Sequence, residues 1–145
     1  MLKKWIAQRL FGRGDEALDP IPTEAWLDDL NLKEVLDAHD AWKVRLVEDL
    51  EGRADQPIDP AIASSDRHCT LGKWLHGPGK KFSRLPEYAR AVQAHAEFHA
   101  CAGEVVIESR SGHPERARTL LKTRFHQASS ANQLELVRLF SAING

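Results

Sequence analysis

The sequence predicts an all-α fold: a four-helix bundle with an extra N-terminal helical arm. Three observations carry that reading. Long stretches place apolar residues at i, i+3, i+4 and i+7, the period of a helix buried along one face. No stretch of any length alternates apolar and polar residues as a half-buried strand does. Turn residues gather between the periodic stretches, at Gly52, Gly77-Pro78-Gly79 and Ser111-Gly112. A chain of 145 residues suits one domain with a single core. Residues 1–30 read as the arm and residues 31–145 as the bundle.

Residues 1–13 are basic and amphipathic, with Leu2, Trp5, Ile6 and Leu10 near helical spacing among Lys3, Lys4, Arg9 and Arg13. Such a helix can lie on a membrane surface, dock a partner or pack on its own domain. The last is favoured, because one short helix anchors weakly. Residues 14–30 are acidic and contain Pro20 and Pro22, which oppose a continuous helix. They read as a connecting arm in which Thr23 caps a short turn through Trp26.

The first strong helix is expected from about Leu32 to Leu50. Asn31 can cap it, with Glu34 three residues on, and Gly52 is a natural stop. Leu32, Val35, Leu36, His39, Trp42, Leu46, Val47 and Leu50 form one stripe, which puts His39 mid-way along the inward face and turns Asp40, Lys43 and Glu48 outward. Residues 51–65 read as a loop in which Asp59-Pro60, a cap followed by a first-turn proline, starts a short helical turn. A second short helix is expected from about Asp66 to Leu75, ending near Gly77-Pro78-Gly79. Gly72 inside it costs roughly 1 kcal/mol against alanine, so another backbone, or the site itself, is expected to approach closely there.

The longest helix is expected from Pro86 to about Arg110. Its inner stripe is Tyr88, Val92, His95, His99, Ala102, Val105 and Val106. One last helix is expected from about Pro114 to Ile143, with Leu120, Leu121, Phe125, Leu134, Val137, Leu139 and Phe140 as its apolar residues.

Composition removes several function classes. The formal net charge is −1 and there is no basic stripe interleaved with aromatic residues, so no nucleic-acid partner is expected. No apolar run approaches the roughly 18–20 residues that span a bilayer, and no secretory signal is recognisable. Two cysteines, Cys69 and Cys101, do not make a disulfide framework, so a cytoplasmic protein with reduced thiols is expected.

The chemistry gathers at four residues. His95 and His99 lie four apart, about 40° apart in projection and one turn apart in height, on one helical face. On spacing alone such a pair is more often two separately satisfied histidines than a chelate. His39 holds the matching inward position on another helix, and a buried imidazole must satisfy both nitrogens. A metal would take one nitrogen of each, with an acceptor behind it taking the other. Adding Cys69 gives a three-histidine, one-cysteine set of the kind zinc prefers, while its poverty in carboxylates disfavours magnesium and calcium. Residue type alone leaves copper and iron open. His68, His76, His113 and His126 read as solvated, and Cys101 as a small core filler.

The run Cys69-Thr-Leu-Gly-Lys-Trp-Leu75, with His39-x-x-Trp42-Lys43 before it and Phe82, Leu85-Pro86-x-Tyr88 and His95-x-x-Phe98-His99 after it, resembles the chemoreceptor zinc-binding domain of bacterial signalling proteins. The resemblance runs from about residue 32 to the C-terminus and takes in Phe125 and Ala128-Ser129. It implies His39, Cys69, His95 and His99 as zinc ligands and a four-helix bundle, commonly a homodimer. It also implies a role in sensing, with a chemoreceptor or diguanylate cyclase as output partner, since this sequence holds no methyl-accepting coiled coil or cyclase output run. Residues 1–30 are where docking is expected.

An enzyme is not expected. Four protein ligands would close a tetrahedral zinc and leave no position for water. Glu97 follows His95 by two residues rather than one, so the segment is not the zinc-protease pattern. Cys69 would be both ligand and nucleophile, a redox switch whose oxidation weakens one of four bonds. Some members of the family are implied to sense zinc level or hypochlorous acid in this way. Two plainer readings stand beside it: a zinc that only staples the bundle, and a dimeric interaction module that senses nothing.

Overall fold

Asn31 starts the first helix as its sequence position suggests. Its side-chain Oδ1 accepts a hydrogen bond from the Glu34 N–H at 3.0 Å, and α1 runs Leu32–Leu50. The structure, a computed structural model, describes residues 26–27 and 30–144. The expected helix over 1–13 and the Thr23 cap lie outside the described residues. Trp26–Leu27 and Leu30–Asn31 form a short antiparallel ladder, β1 and β2, pairing Trp26 with Asn31 and Leu27 with Leu30. The sequence suggested no strand here; a two-residue ladder is too short to show a period.

Asp59 caps α2, Pro60–Ser64, accepting from the Ala61 N–H at 2.9 Å. The next helix is shorter than expected. α3 covers Thr70–Leu75 only, because Cys69 is its cap: the residue is extended (φ −81°, ψ 162°) and its Sγ accepts from the Gly72 N–H at 3.3 Å. Residues 66–69 are therefore the turn that leads in. A 3-10 turn over Pro78–Phe82 follows, and α4 spans Pro86–Arg110. The single expected last helix is broken. α5 is Pro114–Lys122 and α6 is Arg124–Asn144, with Thr123 at φ −113°, ψ −94° between them. The Thr123 hydroxyl donates back to the Thr119 carbonyl at 2.7 Å, the kind of local bond that bends or interrupts a helix.

The result is a helical bundle framed by three long helices, α1, α4 and α6. α4 is its centre, packed along α6 and against α2 and α5. Its interior has two apolar clusters. One joins Leu32, Leu36, Leu71, Leu75, Leu136 and Phe140; the other joins Leu46, Ile58, Phe98, Val105, Ala117 and Phe125. Between them in chain order lie His39 on α1, His95 on α4, and Ser129, Asn132 and Gln133 on α6, all buried polar residues, while His99, also buried, follows Phe98 within the second cluster's stretch of α4. Asp40, expected to face outward, is half-buried and accepts from Gln133 Nε2 at 3.0 Å.

Two glycines set close approaches that position the site. A Cβ on Gly72 would lie 1.8 Å from the Asp66 carbonyl oxygen, so the expected close backbone is the turn over residues 66–69 itself. A Cβ on Gly103 would lie 1.9 Å from Ser64 Oγ, so this glycine lets α2 seat against α4.

Candidate metal centre

The four sequence-predicted residues meet. One ligand atom from each of His39, Cys69, His95 and His99 lies within 4.8 Å of the other three. Cys69 Sγ is 3.2 Å from His95 Nε2 and 3.7 Å from His99 Nε2, and the two Nε2 atoms are 3.1 Å apart. A tetrahedral zinc with ordinary bond lengths would separate its nitrogens by about 3.4 Å and hold nitrogen and sulfur about 3.6 Å apart. The observed edges scatter around those values.

Hydrogen bonds fix which nitrogens face the centre. His39 Nδ1 lies 2.8 Å from the Val35 carbonyl, and His99 Nδ1 lies 3.0 Å from the Ala63 carbonyl. A carbonyl only accepts, so each Nδ1 carries the proton and each Nε2 presents a lone pair inward. His39 Nε2 is buried without a partner. A buried lone pair aimed at two more imidazoles and a sulfur is what a cation would satisfy. His95 departs from expectation: its Nδ1 has no partner, so no carbonyl stands behind it as one does behind the other two.

Burial drives the electrostatics. It lowers His39 to about 4, with the Val35 bond opposing and the charges of His99 and Lys43 assisting. It lowers His95 to about 3, assisted by His99 and His39. His99 is lowered by burial too, against the Ala63 bond and the Asp66 charge. The imidazoles are therefore neutral at neutral pH, the form that binds metal. Burial pushes the Cys69 thiol up, against the backbone N–H groups of Gly72, Leu71 and Cys69 itself. A bound divalent cation would reverse that and hold the sulfur as thiolate. The set fits zinc: three neutral imidazoles and one sulfur, with no carboxylate in the cage among the described residues.

Residues outside the four were read less well. His76 is half-buried, not solvated; its Nε2 lies 3.1 Å from Asp66 Oδ2. Burial pushes Asp66 up, but the bond to His76 and its charge outweigh that and hold the carboxyl below the ordinary range. His68, His113 and His126 are exposed as expected, although His113 Nδ1 lies 3.1 Å from Glu108 Oε2. Cys101 is buried in the second apolar cluster, as a core filler should be. Glu97 is exposed. Sequence reasoning missed Asn132 and Gln133. Their signal was present: Phe125, Ala128, Asn132, Leu136 and Leu139 keep helical spacing, so a polar residue interrupts a buried stripe.

Over residues 39–106 the chain matches the family described as chemoreceptor zinc-binding domain. All four donors fall inside that span, which is narrower than the stretch from about residue 32 to the C-terminus. No curated protein and no solved structure matches the chain.

Proposed function

We propose, from the match of residues 39–106 to the chemoreceptor zinc-binding domain family, that the chain is a zinc-binding sensory module whose signal enters through Cys69. The observation that carries it is the convergence of His39 from α1, His95 and His99 from α4, and Cys69 from the turn that leads into α3, on one point. Zinc, when bound, would keep the Cys69 sulfur as a thiolate at neutral pH. The module then reads either zinc level or an oxidant such as hypochlorous acid. In the oxidant case the sulfur gives an electron pair to chlorine, an S–Cl bond forms and hydroxide leaves. Water then replaces chloride to give the sulfenic acid, with release of chloride and a proton. A sulfenic acid is a poorer ligand than a thiolate, so the turn over residues 66–69 is freed from α1 and α4.

The reading is non-enzymatic. Four protein donors leave a tetrahedral ion no open position, and Glu97 is exposed on the outside of α4. Chemoreceptors and related signalling proteins are the class of output partner, a diguanylate cyclase among them, with a homodimer as the working unit in the cytoplasm. Docking through residues 1–30 is part of the same reading. Among the described residues no helix is long and apolar enough to cross a membrane.

One observation favours a second reading. The site lies between two apolar clusters and every donor but Cys69 is buried, as a purely structural staple would be. Metal analysis of the purified protein beside His95→Ala and Cys69→Ala separates the outcomes. One zinc per chain is expected, lost from His95→Ala. Dilute hypochlorous acid should then release zinc from the wild type and leave a folded, rearranged bundle. Unfolding on release supports the staple, and a zinc-free wild type ends both readings.

A further inference from the structure

Cys69 faces more than the cage. A recess of about 550 Å³ opens between α1, α2 and the turn leading into α3, with His39, Cys69 and His99 among its walls. Cys69 is only half-buried and is one of the residues that line this recess. The rest of the lining is largely apolar, including Leu30, Val35, Trp42, Ile62 and Leu71. Among the described residues no lysine or arginine lines the recess, and its one carboxylate is Glu34 on the exposed rim. The unpartnered, buried Nε2 of His39 belongs to a residue of its wall.

Size and charge together define what such a space accepts. Recesses that take small organic molecules measure roughly 300–1,000 Å³, far beyond what a two-heavy-atom oxidant fills. An anion would find no lysine or arginine among the described lining residues to pair with and would lose its hydration on entry. A neutral, apolar molecule of about one ring would gain by burying its surface on the Trp42, Ile62 and Leu71 side chains.

We propose that this recess binds neutral, ring-sized electrophiles and presents them to the Cys69 sulfur, which they alkylate. The proposal rests on the metal reading for its reactivity, since zinc would supply the thiolate. With an α,β-unsaturated carbonyl, the sulfur lone pair forms a carbon–sulfur bond at the β carbon. The alkene π pair moves to the carbonyl oxygen as an enolate. Water then protonates the α carbon and leaves hydroxide, so no external oxidant or reductant enters. The product is a neutral thioether, a weaker ligand than the thiolate it replaces. Hydrophobic electrophiles thus become a second class of signal at the same sulfur.

The test compares N-cyclohexylmaleimide with a maleimide bearing a carboxylate on a short N-alkyl arm. Alkylation of the Cys69 peptide is followed by mass spectrometry, and each rate is divided by the rate for the same peptide in the denatured chain. At least a tenfold normalised preference for the neutral reagent is expected. Ala38→Trp and Ile62→Trp fill the recess from exposed positions on its rim and are each expected to bring the ratio near one with zinc content and helicity unchanged. A ratio near one in the wild type overturns the proposal, as does a ratio that survives both folded variants. Silence of Cys69 toward both reagents also overturns it, because another stretch of chain or a second copy would then cover the mouth. Zinc content is read separately. A zinc-free protein that keeps the preference sinks the metal reading and leaves the recess, while a zinc-loaded protein without it does the reverse.

Discussion

One hydrogen bond decides whether His39 is a ligand or an ordinary core histidine. With its Nδ1–H given to Val35, the neutral ring has only its Nε2 lone pair to offer, and that atom faces His95 and His99. Neutrality has a consequence for pH. Histidines of an unfolded chain protonate near 6.5, whereas burial lowers His39 to about 4, His95 to about 3, and His99 in the same direction. Below about pH 6.5 the unfolded chain thus binds protons that the fold refuses, so stability falls as pH falls, down toward the folded values. Denaturant titrations of the metal-free protein between about pH 7 and 4 should show that decline, and His39→Leu should flatten it. An unchanged slope in the variant would mean that His39 is not held neutral. The zinc-loaded protein should fall more steeply, because protons also displace the metal. At this scale the inward faces of His39, His95 and His99 were legible from helical spacing, while the set of four, with Cys69, was legible through the resemblance carried by the Cys69 run. His76 was not: its partner Asp66 lies ten residues back, and only the folding of the residue 66–69 turn onto α3 brings them together.

The elements place the donors through two missing side chains. Gly103 lets α2 approach α4, and the Ala63 carbonyl of α2 then reaches His99 Nδ1. In Gly103→Ala the new Cβ would meet Ser64 Oγ at 1.9 Å and Ser64 Cα at 3.1 Å, so rotating the serine side chain does not clear the clash. α2 must move. The expected cost is about 1–3 kcal/mol of overpacking. Loss of the His99 orientation should weaken zinc binding by about 10-fold or more. A competitive chelator titration measures this, with Gly112→Ala as the control. Gly112 has φ +84° and open space around it, so alanine there costs backbone strain alone and leaves zinc affinity unchanged. Equal affinities in all three proteins would remove α2 from the account of the site. Helix limits were legible where a cap is written next to the helix, as with Asn31 and Pro86. They were not where the signal is a side chain that usually does something else. Cys69 replaces a serine-like cap at the head of α3, and the Thr123 hydroxyl breaks a pattern that its apolar neighbours continue.

Across the whole molecule the metal site is a polar stratum inserted between two apolar clusters, and this decides what metal removal should do. Leu36, Leu75 and Phe140 in one cluster, and Val105 and Phe125 in the other, are buried among apolar neighbours, and of the large side chains named here only Phe98 stacks its ring on donor imidazoles, those of His39 and His99. Chelation therefore leaves both clusters intact while exposing three imidazoles and a thiol to one another with no ion between them. Zinc at about a thousand times its Kd stabilises the fold by roughly 4 kcal/mol, so chelation should lower Tm by on the order of 10 °C. Far-UV circular dichroism at 25 °C should change little. The local change should be larger, and Trp42 can report it, since its ring centroid lies 6.0 Å from that of His99. Its fluorescence should shift on chelation, with Trp42→Phe assigning the signal among the four tryptophans. Retained helix with a moved Trp42 is the behaviour of a switch, in which the polar stratum rearranges between two rigid ends. Loss of helix in step with zinc would show that the stratum holds the ends together. In that case Cys69 could not pass on a signal without unfolding the domain that carries it.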